Sequence, residues 1–297
     1  MSIAHLPERC VIKIAGEDAR TFLDGLVTND MALVTQDQAG FGALLTPQGK
    51  IIVDFFIVAL DDDDGGGFLL DTSTAFGPDL LKRFSLYRLR AKVIIEDLGE
   101  TAAVVAASDG GLLPPDCGVV YADPRFAGMG ERAIVDRSDL PGLISATTED
   151  YHNHRIVLGI PDGGKDFPYG GTGTFPHEAL MDQLGGVSFT KGCYVGQEVV
   201  SRTQHRGTAR TRLVPIIFTG GFRSEWGVEV KAGDRNIGSV GSTAKDRGIA
   251  MLRLDKVADA LAAGEPIKAG GLDVVLDKPS FLRFPFPGDA GFGESAA

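Results

Sequence analysis

The sequence has no apolar run of the roughly 18 residues that a membrane-spanning helix needs, so a helical membrane protein is not expected. Cysteine is scarce: Cys10, Cys117 and Cys193 lie far apart and none forms a CxxC pair. That excludes a disulfide framework and a closed zinc site, and it leaves one chain short of the thiolates an iron–sulfur cluster takes. Any part in cluster chemistry would be indirect. His152, His154, His177 and His205 lack ligand spacing, so they read as structural or exposed and no metal is expected. Net positive charge is missing too: at −11, the chain repels nucleic acid and acidic membranes as a bulk effect, and neither is an expected partner. The first ten residues lack the basic-then-apolar layout of a signal peptide, which sets the expectation of a cytoplasmic protein.

What is present is ordinary soluble composition, 43% hydrophobic and 23% charged, over 297 residues. That length suits two domains. The basic residues are unevenly spread. Lys82, Arg83, Arg88, Arg90 and Lys92 form one cluster, and Arg202, His205, Arg206, Arg210 and Arg212 form another. Such patches read either as solvated faces or as seats for an anionic ligand.

Residues 10–14 alternate as a strand, and a helical pattern follows with Phe22, Leu23, Leu26 and Val27 on one face. Strands at 41–45 and 51–59 flank the turn Thr46-Pro-Gln-Gly49. The Asp and Gly run at 61–67 reads as a solvated turn into a strand at 68–70. A helix at 74–87 and a strand at 91–96 complete an α+β unit with a mainly antiparallel sheet. Strands at 102–107 and 133–135 and a helix at 150–159 repeat that flavour, and 161–175 is a Gly- and Pro-rich loop. Past residue 208, short apolar stretches alternate with Gly turns, the pattern of a small β-barrel or sandwich. The spacing predicts an α+β domain over 1–207, a small all-β domain over 208–285 and a loose tail over 286–297.

The best reactive candidate is Cys193, set between Lys191 and Tyr194 with glycines at 192 and 196. A helix starting near Val195 would place the thiol at its positive end, with an ammonium two residues away. Both effects favour the thiolate. The alternative is a buried structural cysteine, which is the reading for Cys10 and Cys117.

The stretch Lys191-Gly-Cys-Tyr-Val-Gly-Gln-Glu198 resembles the K-G-C-Y-x-G-Q-E signature of the YgfZ-type folate-binding proteins of iron–sulfur cluster assembly. Phe22-Leu-Asp-Gly-Leu-Val-Thr-Asn-Asp30 is similar to that family's N-terminal F-L-Q-G-Q-V-T-N-D stretch, and Gln48-Gly-Lys50 and Pro176-His-Glu178 follow in the family's order. Gly159-Ile-Pro-Asp-Gly163 and Thr203-Gln-His-Arg-Gly207 look closest to the branch with the mitochondrial assembly factors. The resemblance implies an aminomethyltransferase-like fold, with α+β subdomains around a central folate cavity and a C-terminal barrel. It implies tetrahydrofolate or a one-carbon derivative as cofactor, with assembly proteins or client iron–sulfur enzymes as partners. It makes Cys193, with Lys191 and Tyr194, the reactive group. Asp54, Glu178, Gln197, Glu198, Arg210 and Arg212 become the folate-contacting set.

The chain departs from the glycine-cleavage enzyme where paired acids would stand: Val53 precedes Asp54. Pro161 replaces an expected folate-contacting glutamate, with Asp162 as a substitute acid. One-carbon transfer needs a carboxylate to manage protons, so glycine-cleavage turnover is not expected. A folate-dependent aminomethyl or methyl transferase, and a scaffold with a vestigial pocket, are the alternatives.

Overall fold

A computed structural model describes residues 2–61, 66–207, 209–221 and 223–289. The chain opens with β1 (Ile3–His5), β2 (Arg9–Ala15), α1 (Ala19–Asp24), β3 (Gly40–Leu45), β4 (Ile51–Ala59) and β5 (Phe68–Ser73). It continues through α2 (Gly77–Arg88), β6 (Ile94–Asp97), β7 (Ala102–Ala107), β8 (Val119–Ala122) and β9 (Glu131–Asp136). Three helices follow: α3 (Leu140–Leu143), α4 (Thr148–Val157) and α5 (Gln197–Arg206). The last part holds β10 (Thr211–Phe218), β11 (Glu229–Ala232), β12 (Arg235–Ala244), β13 (Arg247–Arg253), α6 (Leu254–Ala262), β14 (Ile267–Ala269) and β15 (Leu272–Leu276).

Two antiparallel sheets form the α+β body, in the orders β3-β4-β5-β2-β6 and β1-β7-β9-β8. β3 and β4 read as nearly continuous apolar runs because both of their faces are covered, and β5 is buried along most of its length although its second half is polar. α2 covers one face through Leu80 and Phe84, with Phe84 edge-on to Phe55 and Phe22. Pro78 sits in the first turn of α2, where its missing N–H costs nothing. The barrel closes in the order β10-β13-β12-β11-β14-β15. One continuous apolar core runs from the first sheet through Ile160 and Phe167 into the barrel at Leu213, Val240 and Ile249.

Most of the expected strands and helices fall within a few residues of their observed places, whereas β1, β8, α3, α6 and β14 had no counterpart in the sequence expectations. The strand expected at 91–96 begins only at Ile94, because Lys92 is pinned to the α1 entry by its backbone N–H on Asp18 (2.7 Å). The turn at 61–67 and the tail at 286–297 lie partly outside the described residues. Within them, Phe286 is buried beside Phe284, so the expected loose tail is docked at its start.

Between the sheets the sequence buries charge. Asp71 takes Arg9 Nε at 2.6 Å, Arg132 Nη2 at 2.5 Å and the Tyr121 hydroxyl at 2.8 Å. Arg125 pairs with Asp123 at 2.7 Å, and the Tyr151 oxygen accepts from both Arg125 and Arg132. The Phe56 ring lies beneath three of these guanidiniums. Every carboxylate here is paired, as buried charge requires.

Candidate functional site

The structure separates the expected site residues into three places. The first is the loop from Ser188 to Gly196. Its Lys191 side chain is 1% exposed and donates from Nζ to three carbonyls: Asp24 (2.6 Å), Asn29 (2.7 Å) and Val27 (3.0 Å). Asp24 Oδ1 stands 3.0 Å away as its counter-ion. Burial lowers the Lys191 pKa from its ordinary value, with Asp24 opposing. The ammonium therefore clamps this loop to the segment after α1, a different job from the thiol activation expected of it. Tyr194 is buried, its ring 5.4 Å from Lys191 Nζ, and its hydroxyl has no hydrogen-bond partner among the described residues. Burial pushes that hydroxyl up to about 12.

Cys193, between these two anchors, is exposed, which overturns the alternative of a buried structural cysteine. The helix after it begins at Gln197, two residues later than expected, because Gly196 takes φ 84° at the N-cap. Gln197 reaches back from Nε2 to the Gly192 carbonyl at 3.2 Å and closes the loop. Glu198 points to solvent and pairs with Arg202 one turn on. Cys10 and Cys117 are half-buried, and burial pushes the Cys10 thiol up to about 11.

The second place is the interior around Asp54 on β4. Its Oδ1 accepts from the Tyr169 hydroxyl at 2.6 Å. Burial raises the carboxyl to about 6, against the pull of Arg9. Asp162 and Arg125 also lie close enough to act on Asp54 electrostatically. Burial opposes ionisation of Asp162, but Arg155 and Arg9 hold it below the usual carboxylate range. No hydrogen bond engages the Asp162 carboxylate among the described residues, so two acids shifted in opposite directions share this interior. Arg9 and Tyr169 escaped the sequence reading, since a lone arginine on an alternating strand and a tyrosine in a Gly-rich loop carry no signal there.

The third place is the seam between α5 and the barrel. A cavity of about 380 Å³ is lined by Phe175, Glu178, Val199, Thr203, Arg210 and Arg253. Glu178 accepts from the Phe175 N–H at 2.8 Å, and burial raises its pKa. Glu178 sits in a series of turns that follows Pro176. Arg210 is exposed without an ion pair among the described residues. Arg212 is buried and committed to Asp182 (2.9 Å) and the His177 carbonyl (2.9 Å).

One histidine does join a cluster that sequence spacing did not show. Donor atoms of Glu8, His152 and Asp162 lie within 4.8 Å of one another. The protonation pattern is wrong for a cation, however. Arg155 Nε donates to His152 Nδ1 at 3.0 Å, so the imidazole proton sits on Nε2 and faces Glu8 at 2.5 Å. A metal on Nε2 would drive that proton onto Nδ1, against the guanidinium, where metal-binding histidines instead place an acceptor.

These features define a class. The structure matches that of the glycine cleavage system aminomethyltransferase T from Bartonella henselae, with a TM-score of 0.74 at 14% identity over 96% of this chain and 87% of that one. The match shows the fold, with its antiparallel sheets and C-terminal barrel. The model of the CAF17 C-terminal beta-barrel domain family matches residues 210–284.

Among curated relatives, the human mitochondrial iron–sulfur cluster assembly factor IBA57 is 34% identical over 72% of this chain and 65% of its own length. The Mycosarcoma maydis homolog is 32% identical over 73% and 57%, and the Pyricularia oryzae homolog 31% over 93% and 78%. The chain thus spans 57–65% of the length of the first two. This chain belongs to the IBA57 family of iron–sulfur cluster assembly factors. The YgfZ-type resemblance is thereby narrowed to a sister branch. The expectation of a cytoplasmic protein is overturned, because these relatives are described as mitochondrial.

Proposed function

We propose that this chain binds tetrahydrofolate or a one-carbon derivative and serves the assembly or repair of iron–sulfur clusters in client enzymes. The observation that carries the reading is the setting of Cys193. The side chains of Lys191 and Tyr194 on either side of it are buried and fixed, while the thiol itself is offered to solvent. A group presented this way suits contact with an assembly protein or client rather than a packing role.

Among the described residues, the interior offers carboxylates rather than a shaped cavity for the pterin. Asp54 and Asp162 are acceptors for its N–H groups, Tyr169 holds Asp54, and the unpartnered Tyr194 hydroxyl marks unused polar capacity near the loop. When bound, the folate would supply the one-carbon carrier. Glu178 and Arg210, at the seam, are the seats left for a polar or anionic end. Gln197 holds the loop, whereas Glu198 and Arg212 serve their own ion pairs.

Calorimetry with tetrahydrofolate and its 5-formyl and 5,10-methylene forms tests the cofactor. Saturable binding is expected for the wild type and Cys193→Ala, and at least tenfold weaker binding for Asp54→Asn. No binding by the wild type removes folate from the reading. Rescue of cells lacking the family member tests the thiol: Cys193→Ala should fail, and full rescue would remove Cys193 from the function.

A further inference from the structure

The far end of α2 presents a surface that neither the folate interior nor the Cys193 loop uses. From Lys82 to Lys92 the chain holds five basic residues and no acid, in a molecule of net charge −11. Arg83 pairs with Asp79 and Lys92 with Glu17. Lys82, Arg88 and Arg90 are exposed and make no ion pair among the described residues. Among these cations stand three large apolar side chains in solvent: Leu86 (66% exposed), Leu89 (87%) and Ile94 (65%). Lys82, Leu86 and Leu89 recur at the spacing of one helix face.

Leu89 is held there at a cost. It caps α2 with φ 45°, a left-handed backbone that a branched apolar side chain rarely adopts. The chain is fixed just beyond it, where the Lys92 N–H bonds Asp18 Oδ2 at 2.7 Å. Glycine would satisfy this geometry without strain and without exposing a leucine. A residue that is both strained and, among the described residues, the most exposed of the large apolar side chains is unexplained by folding alone.

We propose that the C-terminal end of α2, with Leu86, Leu89 and Ile94 ringed by Lys82, Arg88 and Arg90, docks a partner protein through an acidic face bearing apolar side chains. Charge complementarity selects the partner, and the leucines supply the contact area. β6 beside α2 is an edge strand, paired only with β2. Glu96 and Asp97 on it are exposed acids that repel an acidic strand, so the partner lies across the helix end and does not extend the sheet. The proposal takes from the assembly-factor reading only that partners are proteins, and folate plays no part in it.

A fluorescein-labelled Glu/Leu amphipathic helical peptide is the probe, titrated into the full chain by anisotropy. Saturable binding that weakens with salt is expected. It should weaken at least tenfold in Leu89→Gly and in the double variant Arg88→Glu with Arg90→Glu, but not in Lys231→Glu with Lys268→Glu on the barrel. Leu89→Gly should melt no lower than the wild type, which separates lost docking from lost folding. Folate calorimetry on the Arg88/Arg90 variant should match the wild type, so that failure of docking and failure of the folate reading are told apart. Absence of peptide binding, equal loss in the barrel variant, equal binding of a Lys/Leu peptide, or binding of anionic lipid vesicles in place of the peptide would each overturn the proposal.

Discussion

At the scale of single residues, two buried ionisable groups set measurable expectations. Lys191 gives one ammonium to three carbonyls inside the protein. Lys191→Met keeps the stem but leaves those acceptors without their donor, a loss of about 2–4 kcal/mol. Urea unfolding should show that drop, and a change under ~0.5 kcal/mol would mean that the clamp contributes nothing. Asp54 works in the opposite sense. Its folded-state pKa is raised to about 6, so the native state holds a proton that the unfolded chain has already released. Its contribution to stability therefore falls as pH rises from the ordinary carboxylate range through 6. Asp54→Asn keeps an acceptor for Tyr169 and removes that penalty. The stability difference between variant and wild type should shift in the variant's favour by up to ~3 kcal/mol between pH 4 and pH 7. A difference independent of pH would show that Asp54 is not a raised acid. The motif made Lys191 and Cys193 visible in the sequence, yet the direction of the ammonium was not. A lysine two residues from a cysteine reads as an activator until the carbonyls of a segment some 160 residues away are known.

At the scale of elements, local periodicity and turn residues located most of the strands and helices. The apolar alternation of β2, the Thr46-Pro-Gln-Gly49 turn and the Gly-punctuated barrel strands each follow from near neighbours in the chain. What stayed hidden was the contact between elements. Arg9, Asp71 and Arg132 lie on three strands and look like surface charges in sequence, because only the stacking of the two sheets buries them together. The start of α5 was misplaced for a similar reason. Gly196 adopts φ 84° where an added Cβ would stand 2.5 Å from the Thr46 carbonyl oxygen and 3.1 Å from the Gly49 Cα. The motif loop and the β3–β4 turn thus meet backbone to backbone, and glycine is what permits it. Gly196→Ala should cost at least ~2 kcal/mol through the combined strain and clash. Thermal unfolding would record the drop, and an unshifted midpoint would show that the two turns part without penalty.

At the scale of the whole molecule, the question is how the barrel is tied to the α+β body. α4 packs against β12 and β13, and the joint is ionic at its centre. Arg155 donates to Asp166 at 2.7 Å, to the Ile160 carbonyl at 3.1 Å and to Ser242 Oγ at 2.9 Å, while the Ser242 N–H donates back to Asp166 at 2.7 Å. Asp166 therefore holds the arginine of one unit and the backbone of the other with its two oxygens. Asp166→Asn preserves an acceptor for Ser242 but removes the ion-pair partner of the buried Arg155 guanidinium and leaves only the unbonded Asp162 carboxylate nearby, which costs about 3–5 kcal/mol. Both partners of that pair belong to the α+β body, and the cost reaches the joint because each also bonds Ser242 of the barrel. In the wild type the shared apolar core should make the two units melt together, because separating them exposes both sides at once. With Asp166→Asn the coupling energy drops, and scanning calorimetry should resolve a barrel transition from that of the body. A single transition at the wild-type midpoint would place the coupling in the apolar contacts alone, whereas two transitions would make the Arg155–Asp166 pair the bolt that closes the barrel onto the proposed folate interior.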